Sequence, residues 1–235
     1  MTFKGLVVLW VVMNLVIVLH ELGHALMGRL LGFRLKEFCV GFPPHLELFK
    51  VGGCRVVFNP IPIGGVAVFD DDFSTAKPIK RVLVILAGPL AGLLPVMAVW
   101  LCLFVSQGPQ VAAELTNLIG RIIREILSDL PSLFLPTREF SLASASADVG
   151  TTVGSAGLAM TSLSLTGFLS TFLALINLLP IPGLDGGRVL LIGVEGIFGE
   201  RVRKYANAIT VIGSLLLLLY IGVCLAIDAF WFIFR

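Results

Sequence analysis

The fold class predicted by the sequence is an all-α, multi-span membrane protein with a small β-structure after its first helix. Three observations predict it. Hydrophobic residues make up 57% of the chain and charged ones only 14%, about half the charged share of an ordinary soluble domain. Four apolar runs, at roughly 6–31, 82–105, 157–179 and 209–232, each reach the ~20 residues that a helix needs to cross a hydrocarbon core. Between the first two runs, β-prone stretches are broken by Gly-Gly and by prolines, which argues against helix there. The net charge of +2 and the lack of a concentrated basic stretch give no reason to expect a nucleic-acid partner. The bilayer is the expected environment.

The first run resembles a secretory leader, with Lys4 ahead of Leu6–Leu19, but His20-Glu21-Leu22-Gly23-His24 stands where a small-residue cleavage site belongs. The run is therefore read as a retained span. The 45–69 segment follows. His45–Val51 and Cys54–Asn59 flank Gly52-Gly53, a two-residue hairpin signal, and a further β-prone stretch covers Ile61–Phe69 with Gly64-Gly65 inside it. The segment is too apolar for an ordinary loop. It is expected either to dip into the membrane under the cover of protein, or to form a small hairpin in the cytoplasm.

After the second span, residues 106–156 carry an amphipathic pattern. Val111, Leu115, Leu118, Ile122, Ile126 and Leu130 fall on one face, opposite Glu114, Asn117, Arg121 and Arg124. This predicts a helix lying on the membrane surface or packed on the bundle. A Ser-, Ala-, Gly- and Thr-rich linker at 137–157 leads to the third span. Basic residues concentrate in two connections. Eight Lys or Arg fall in 26–82 and four in 186–206, against three in 106–156. By the positive-inside rule 26–82 and 186–206 face the cytoplasm, and both termini and 106–156 face outside. Cys39, Cys54, Cys102 and Cys224 form no C-x-x-C pair and are read as apolar filler.

The chemistry sits where charge is rarest. His20 and His24 are one helical turn apart, so both imidazoles project from one face, and Glu21 lies ~100° round the helix. This is the H-E-x-x-H pattern, with two neutral imidazoles for a tetrahedral zinc ion and a carboxylate that reaches its water without ligating. Ionisable groups inside an apolar run are costly and mark a functional site by default. The plain alternative is polar residues that pair with neighbouring spans. A catalytic zinc takes three protein ligands and leaves a fourth position for water. Asp228 lies near the outer end of the last span, and Glu195 and Glu200 lie among cytoplasmic basic residues. Asp185, in Pro180-Ile181-Pro182-Gly183-Leu184-Asp185-Gly186-Gly187, follows the inner end of the third span. His20 lies ~22 Å below the outer start of its own span, so both elements reach the cytoplasmic half. A turn aspartate in a Pro-Gly loop is the alternative for Asp185. A divalent-metal transporter or a non-catalytic scaffold are the competing whole-protein readings. The former would show paired metal motifs and internal repeats, and neither is visible.

His20-Glu21-Leu22-Gly23-His24, Gly64-Gly65 before a basic segment, Ala87-Gly88-Pro89, and Asn177 through Gly187 resemble the site-2 protease family of intramembrane zinc metalloproteases, in the order found in its bacterial regulators of envelope stress. The resemblance covers roughly residues 5–105 and 150–230. It implies a single metalloprotease domain over 1–235 in a bacterial plasma membrane, with zinc held by His20, His24 and Asp185 and Glu21 as general base. Asn177 is implied in substrate handling, and 45–69 as a membrane-dipping β-structure that offers an edge strand, expected at 54–69, to single-span substrates. Two departures stand out. The fifty or so residues of 106–156 are too few for the ~80–90 of a PDZ domain, and no CBS-type module is expected after the last span. Where many relatives have Asn, this chain has Gly92, which keeps a small-residue packing face in Gly88-Pro89-Leu90-Ala91-Gly92.

Overall fold

A computed structural model of the chain describes residues 3–42, 46–70, 72–110 and 157–233, together with scattered helical residues between 113 and 124. Most of the amphipathic 111–130 stretch lies outside the described residues, as do the 137–157 linker except for Gly157, and Pro43-Pro44-His45.

The described chain is mostly helical. Helix α1 (Phe3–Leu30) leads into four strands, β1 (Leu35–Phe42), β2 (Leu46–Val51), β3 (Cys54–Phe58) and β4 (Ile61–Phe69). The short α2 (Asp72–Thr75) precedes α3 (Pro78–Gly92) and α4 (Leu94–Gln107). Then come α5 (Gly157–Leu178), α6 (Asp185–Phe198) and α7 (Glu200–Ile233). Three helical stretches are long and apolar enough to cross a bilayer, Val7–Leu30, Pro78–Gln107 and Arg201–Tyr220, and a shorter apolar stretch, Leu165–Leu178, forms the end of α5.

Two features differ from the sequence reading of the helices. The second apolar run is interrupted at Leu93, between α3 and α4. Pro95 has no N–H for the carbonyl four residues back, and its ring crowds that carbonyl, so the helix breaks there. The stretch after Asp185 is helical, where the sequence reading had only a connection. Gly186, Gly187, Gly193 and Gly196 dilute its propensity, but tertiary packing on α3 and α7 overrides this.

The Gly52-Gly53 hairpin forms as expected, with both glycines at positive φ (57° and 84°) and β2 antiparallel to β3. The sheet itself is larger than a hairpin. Its order is β2-β3-β1-β4, with β1 parallel to β3 and antiparallel to β4. The expectation of an edge strand across 54–69 is corrected by this order. Residues 54–58 form an interior strand, and Val57 pairs with both Cys39 and Glu47. Only the 61–69 part, β4, is an edge, and β2 is the other.

β4 runs alongside α1. The Trp10 indole N–H donates to the Pro60 carbonyl (2.7 Å), Gly65 abuts Glu21, and the Phe69 ring packs on Gly28. From Trp10 to Gly28 is about 27 Å of helix, and from Pro60 to Phe69 about 30 Å of strand. The sheet is therefore level with the helix along most of its length, not suspended below its end. Asn59 fixes the turn into β4. It is fully buried, and its Nδ2 donates to the Gly41 carbonyl (3.0 Å) and to Cys39 Sγ (3.2 Å).

The interior is built mainly from α1, α3, α5 and α6. Val12, Val16, Ile17, Val84, Ile85, Ala174 and Ile192 are buried there. A smaller cluster of Ala25, Leu35 and Cys54, packed by Phe38, Ala67 and Phe69, joins the sheet to the lower part of α1.

Candidate metal centre

His20, Glu21 and His24 sit in the buried part of α1, at 5%, 6% and 7% exposure. Such values are exceptional for these residue types unless they are partnered. Asp185, 5% exposed, is the first residue of α6. Its placement follows from local sequence. Leu178 ends α5, and Pro180 and Pro182 prevent the helix from continuing. Gly183 takes a φ of +105°, and Leu184, in extended conformation, starts the next helix. A carboxylate in the first turn also suits the positive end of the helix dipole.

The donor atoms converge. His20 Nε2 lies 3.1 Å and His24 Nε2 3.2 Å from Asp185 Oδ2, and the two Nε2 atoms are 3.2 Å apart. A tetrahedral zinc ion with bonds of ~2.0–2.1 Å places its ligand atoms about 3.3 Å from one another, close to this triangle. Among the described residues this is the one group of three or more His, Cys, Asp or Glu side chains positioned to hold a metal ion.

The protonation pattern fits a cation. The Val84 carbonyl can only accept, so the proton of His24 sits on Nδ1, which donates to it at 2.8 Å. That leaves the Nε2 lone pair of His24 directed at the common point, as a ligating imidazole requires. Asp185 Oδ2 is buried, and despite the short approaches of the imidazoles it has no donor in hydrogen-bond geometry. A buried carboxylate oxygen without a donor is costly unless a positive ion lies against it.

Two glycines shape the site. Any Cβ at Gly88 of α3 would strike the Nε2 edge of the His24 ring, so α3 can lie against that ring only with glycine there. Gly65 of β4 plays the same part for Glu21. A Cβ there would come within 2.6 Å of the Glu21 Cγ and 2.9 Å of the Cys39 carbonyl oxygen. Glu21 is thereby held on the side of α1 that faces the sheet.

The structure thus brings His20, His24 and Asp185 to one point, with Glu21 beside them on α1. Asn177 lies at the end of α5, half-buried, with Nδ2 donating to the Leu173 carbonyl (2.9 Å). Glu195 pairs with arginines, in line with its dismissal as a ligand. The sequence reading missed the supporting contacts of Val84, Gly88 and Gly65. Ala87-Gly88-Pro89 and Gly64-Gly65 were visible as motifs, but nothing in a one-dimensional pattern says which side chain a glycine must make room for.

Comparison with known proteins agrees with this geometry. The profile of peptidase family M50 matches residues 8–221. A protein of Chlamydia trachomatis named as a candidate zinc metalloprotease is 30% identical over 51% of this chain, a stretch that covers 23% of that protein. One of Mesorhizobium japonicum with the same designation is 30% identical over 52% of this chain and 38% of its own length. A third, from Clostridium perfringens, is 25% identical over 86% of this chain and 91% of its own length. The chain therefore spans well under half the length of the first two of these relatives. The match over most of its residues, ligand-bearing segments included, means that the chain belongs to peptidase family M50, the site-2 protease family.

Proposed function

We propose that this chain is an intramembrane zinc metalloendopeptidase that cleaves the membrane-spanning segments of single-span membrane proteins, as in regulated intramembrane proteolysis. The observation that carries the reading is the triangle of His20, His24 and Asp185 donors, its two histidines buried in a helix apolar enough to cross a bilayer, with Glu21 beside them. His20 Nε2, His24 Nε2 and one Asp185 oxygen would hold the zinc. When bound, zinc supplies a Lewis acid and lowers the pKa of water in its open position to ~7.

The chain's own residues do the rest. Glu21 takes the proton of the attacking water as it adds to the scissile carbonyl, then delivers that proton to the departing amine. Asn177, at the end of α5 ahead of the loop bearing Asp185, is assigned to substrate handling. A substrate helix hides its carbonyls in hydrogen bonds, and unwinding it in lipid exposes groups at several kcal/mol each. β4 answers this as an edge strand beside Glu21, at the level of α1, onto which an unwound segment adds. The sheet then lies within the membrane, not in the cytoplasm.

For topology, α5 is taken as a fourth span in a bacterial plasma membrane. Both termini face outside and the zinc lies in the cytoplasmic half, as the distribution of Lys and Arg favours.

The test is Glu21→Gln in the full chain. The variant is expected to retain zinc within about twofold of wild type and to lose at least ~100-fold in cleavage of a co-expressed single-span protein. Cleavage at the wild-type rate would overturn the assignment of the base. Absence of zinc from the purified wild-type protein would overturn the whole reading.

A further inference from the structure

A partly buried ion cluster, away from the chemistry, joins the two halves of the molecule. Glu195 lies on α6, ten residues beyond Asp185, or about 15 Å along the helix. Its Oε2 accepts from Arg81 Nη1 of α3 at 2.7 Å, and the two side chains are each only 12% exposed. Its Oε1 lies 3.6 Å from Arg203 Nε of α7, and Arg203 Nη2 donates to the Ser74 carbonyl (2.9 Å). On α3, Arg81 precedes the two residues that hold His24, Val84 through its carbonyl and Gly88 through its contact with the ring. Helices α3 and α6 therefore run antiparallel and are joined twice, at one end through the metal centre and at the other through Arg81 and Glu195.

That arrangement gives the ion pair leverage. Among the described residues, Asp185 is the member of the metal-binding group that the C-terminal half supplies. It sits at the tip of a short helix whose first turn is pressed against the loop before it, since any Cβ at Gly186 or Gly187 would strike the carbonyls of Leu178 or Ile181. A rigid rod pinned at its far end holds its near end in place, and a zinc site tolerates ligand displacements of only ~0.2 Å. An exposed ion pair would contribute little. A largely shielded one, such as Arg81–Glu195, leaves a charge that must find more water once one partner is removed, and the helices loosen at that end to admit it.

We propose that Arg81 and Glu195, braced by Arg203, are positioning residues that set the α3–α6 spacing and so deliver Asp185 to His20 and His24. The proposal rests on the zinc reading above. The experiment measures zinc affinity of the purified full chain by competition with a chelator, alongside the melting temperature of the zinc-free protein. Glu195→Gln and Arg81→Met are expected to weaken zinc binding about 10-fold or more, the range seen when groups that orient a ligand are lost. Arg81→Lys, which keeps a charged donor, is expected to stay within about threefold of wild type. The double variant Arg81→Met/Glu195→Met removes both charges and is expected to recover the melting temperature while zinc binding stays weak. If the single variants bind zinc within twofold of wild type, or if the double variant recovers affinity together with stability, the positioning role is overturned. If wild type itself binds no zinc, it is the metal reading that fails.

Discussion

At the scale of single residues, the site depends as much on what is missing as on what is present. Three ionisable side chains in five positions of an apolar helix can be read directly, because lipid-facing sequence almost never carries them. The groups that orient them cannot be read this way. Gly88 is a helix-interior glycine, and by propensity alone alanine would be preferred there. The structure shows why it stands, since a methyl group at this position collides with the His24 ring. Gly88→Ala is therefore expected to leave helix content intact, as seen by far-ultraviolet circular dichroism, while displacing His24 and weakening zinc affinity by about 10- to 100-fold in chelator competition. Equal affinity would mean that the ring has room to move. Asp185 was legible for a different reason. Two prolines end a span and deliver the next carboxylate at membrane depth, and few other acids were available as a third ligand.

At the scale of elements, the sheet is where sequence and structure diverge. The β2–β3 hairpin was written in Gly52-Gly53, yet β1 was not anticipated. Its residues, Leu35 to Phe42, follow directly on a long helix and include Lys36 and Glu37, with little of the alternation that marks a half-buried strand. Strand order is harder still to read, because hydrophobic pattern does not name partners. The parallel pairing of β1 with β3 places 54–58 inside the sheet and leaves β4 as the edge nearest the chemistry. Substrate addition should follow that order. A cysteine at Val66 or Val68 of β4, residues 37% and 38% exposed, is expected to form a disulfide with a cysteine placed near the cut in a trapped substrate. A cysteine at Leu48 of β2 is expected to remain uncrosslinked in the same gel-shift assay. Crosslinking through β2 alone would move the substrate to the opposite edge. A proline at Val57 is not a suitable probe, because it would break two ladders at once.

At the scale of the whole molecule, the surface states the solvent. Leu94, Met97, Leu101 and Val105 of α4 and Val211, Leu215, Leu216 and Leu219 of α7 are all exposed. A soluble monomer rarely carries so continuous an apolar exterior. Hydrocarbon is the medium in which it is stable. Orientation in that medium is a separate matter, argued from the basic residues near α2 and the start of α7. In a background with the four native cysteines replaced, Ser106→Cys, at the end of α4, is expected to react with a membrane-impermeant maleimide on intact cells. Ser74→Cys, near Arg203, is expected to react only after permeabilisation. The reverse pattern would invert the topology.

The three candidate donor atoms come from positions 20, 24 and 185, so an ion held there would staple together stretches of chain separated by roughly 160 residues, a closure whose entropic cost grows only slowly with length. On the proposed function, the ribosome must therefore make most of the polypeptide before the three residues can meet. A nascent or truncated chain carrying the two histidines and the glutamate alone would lack Asp185, the third member of the group. On the proposed function, the order of the sequence would act as a built-in delay, with activity withheld until the second half of the bundle has docked on the first.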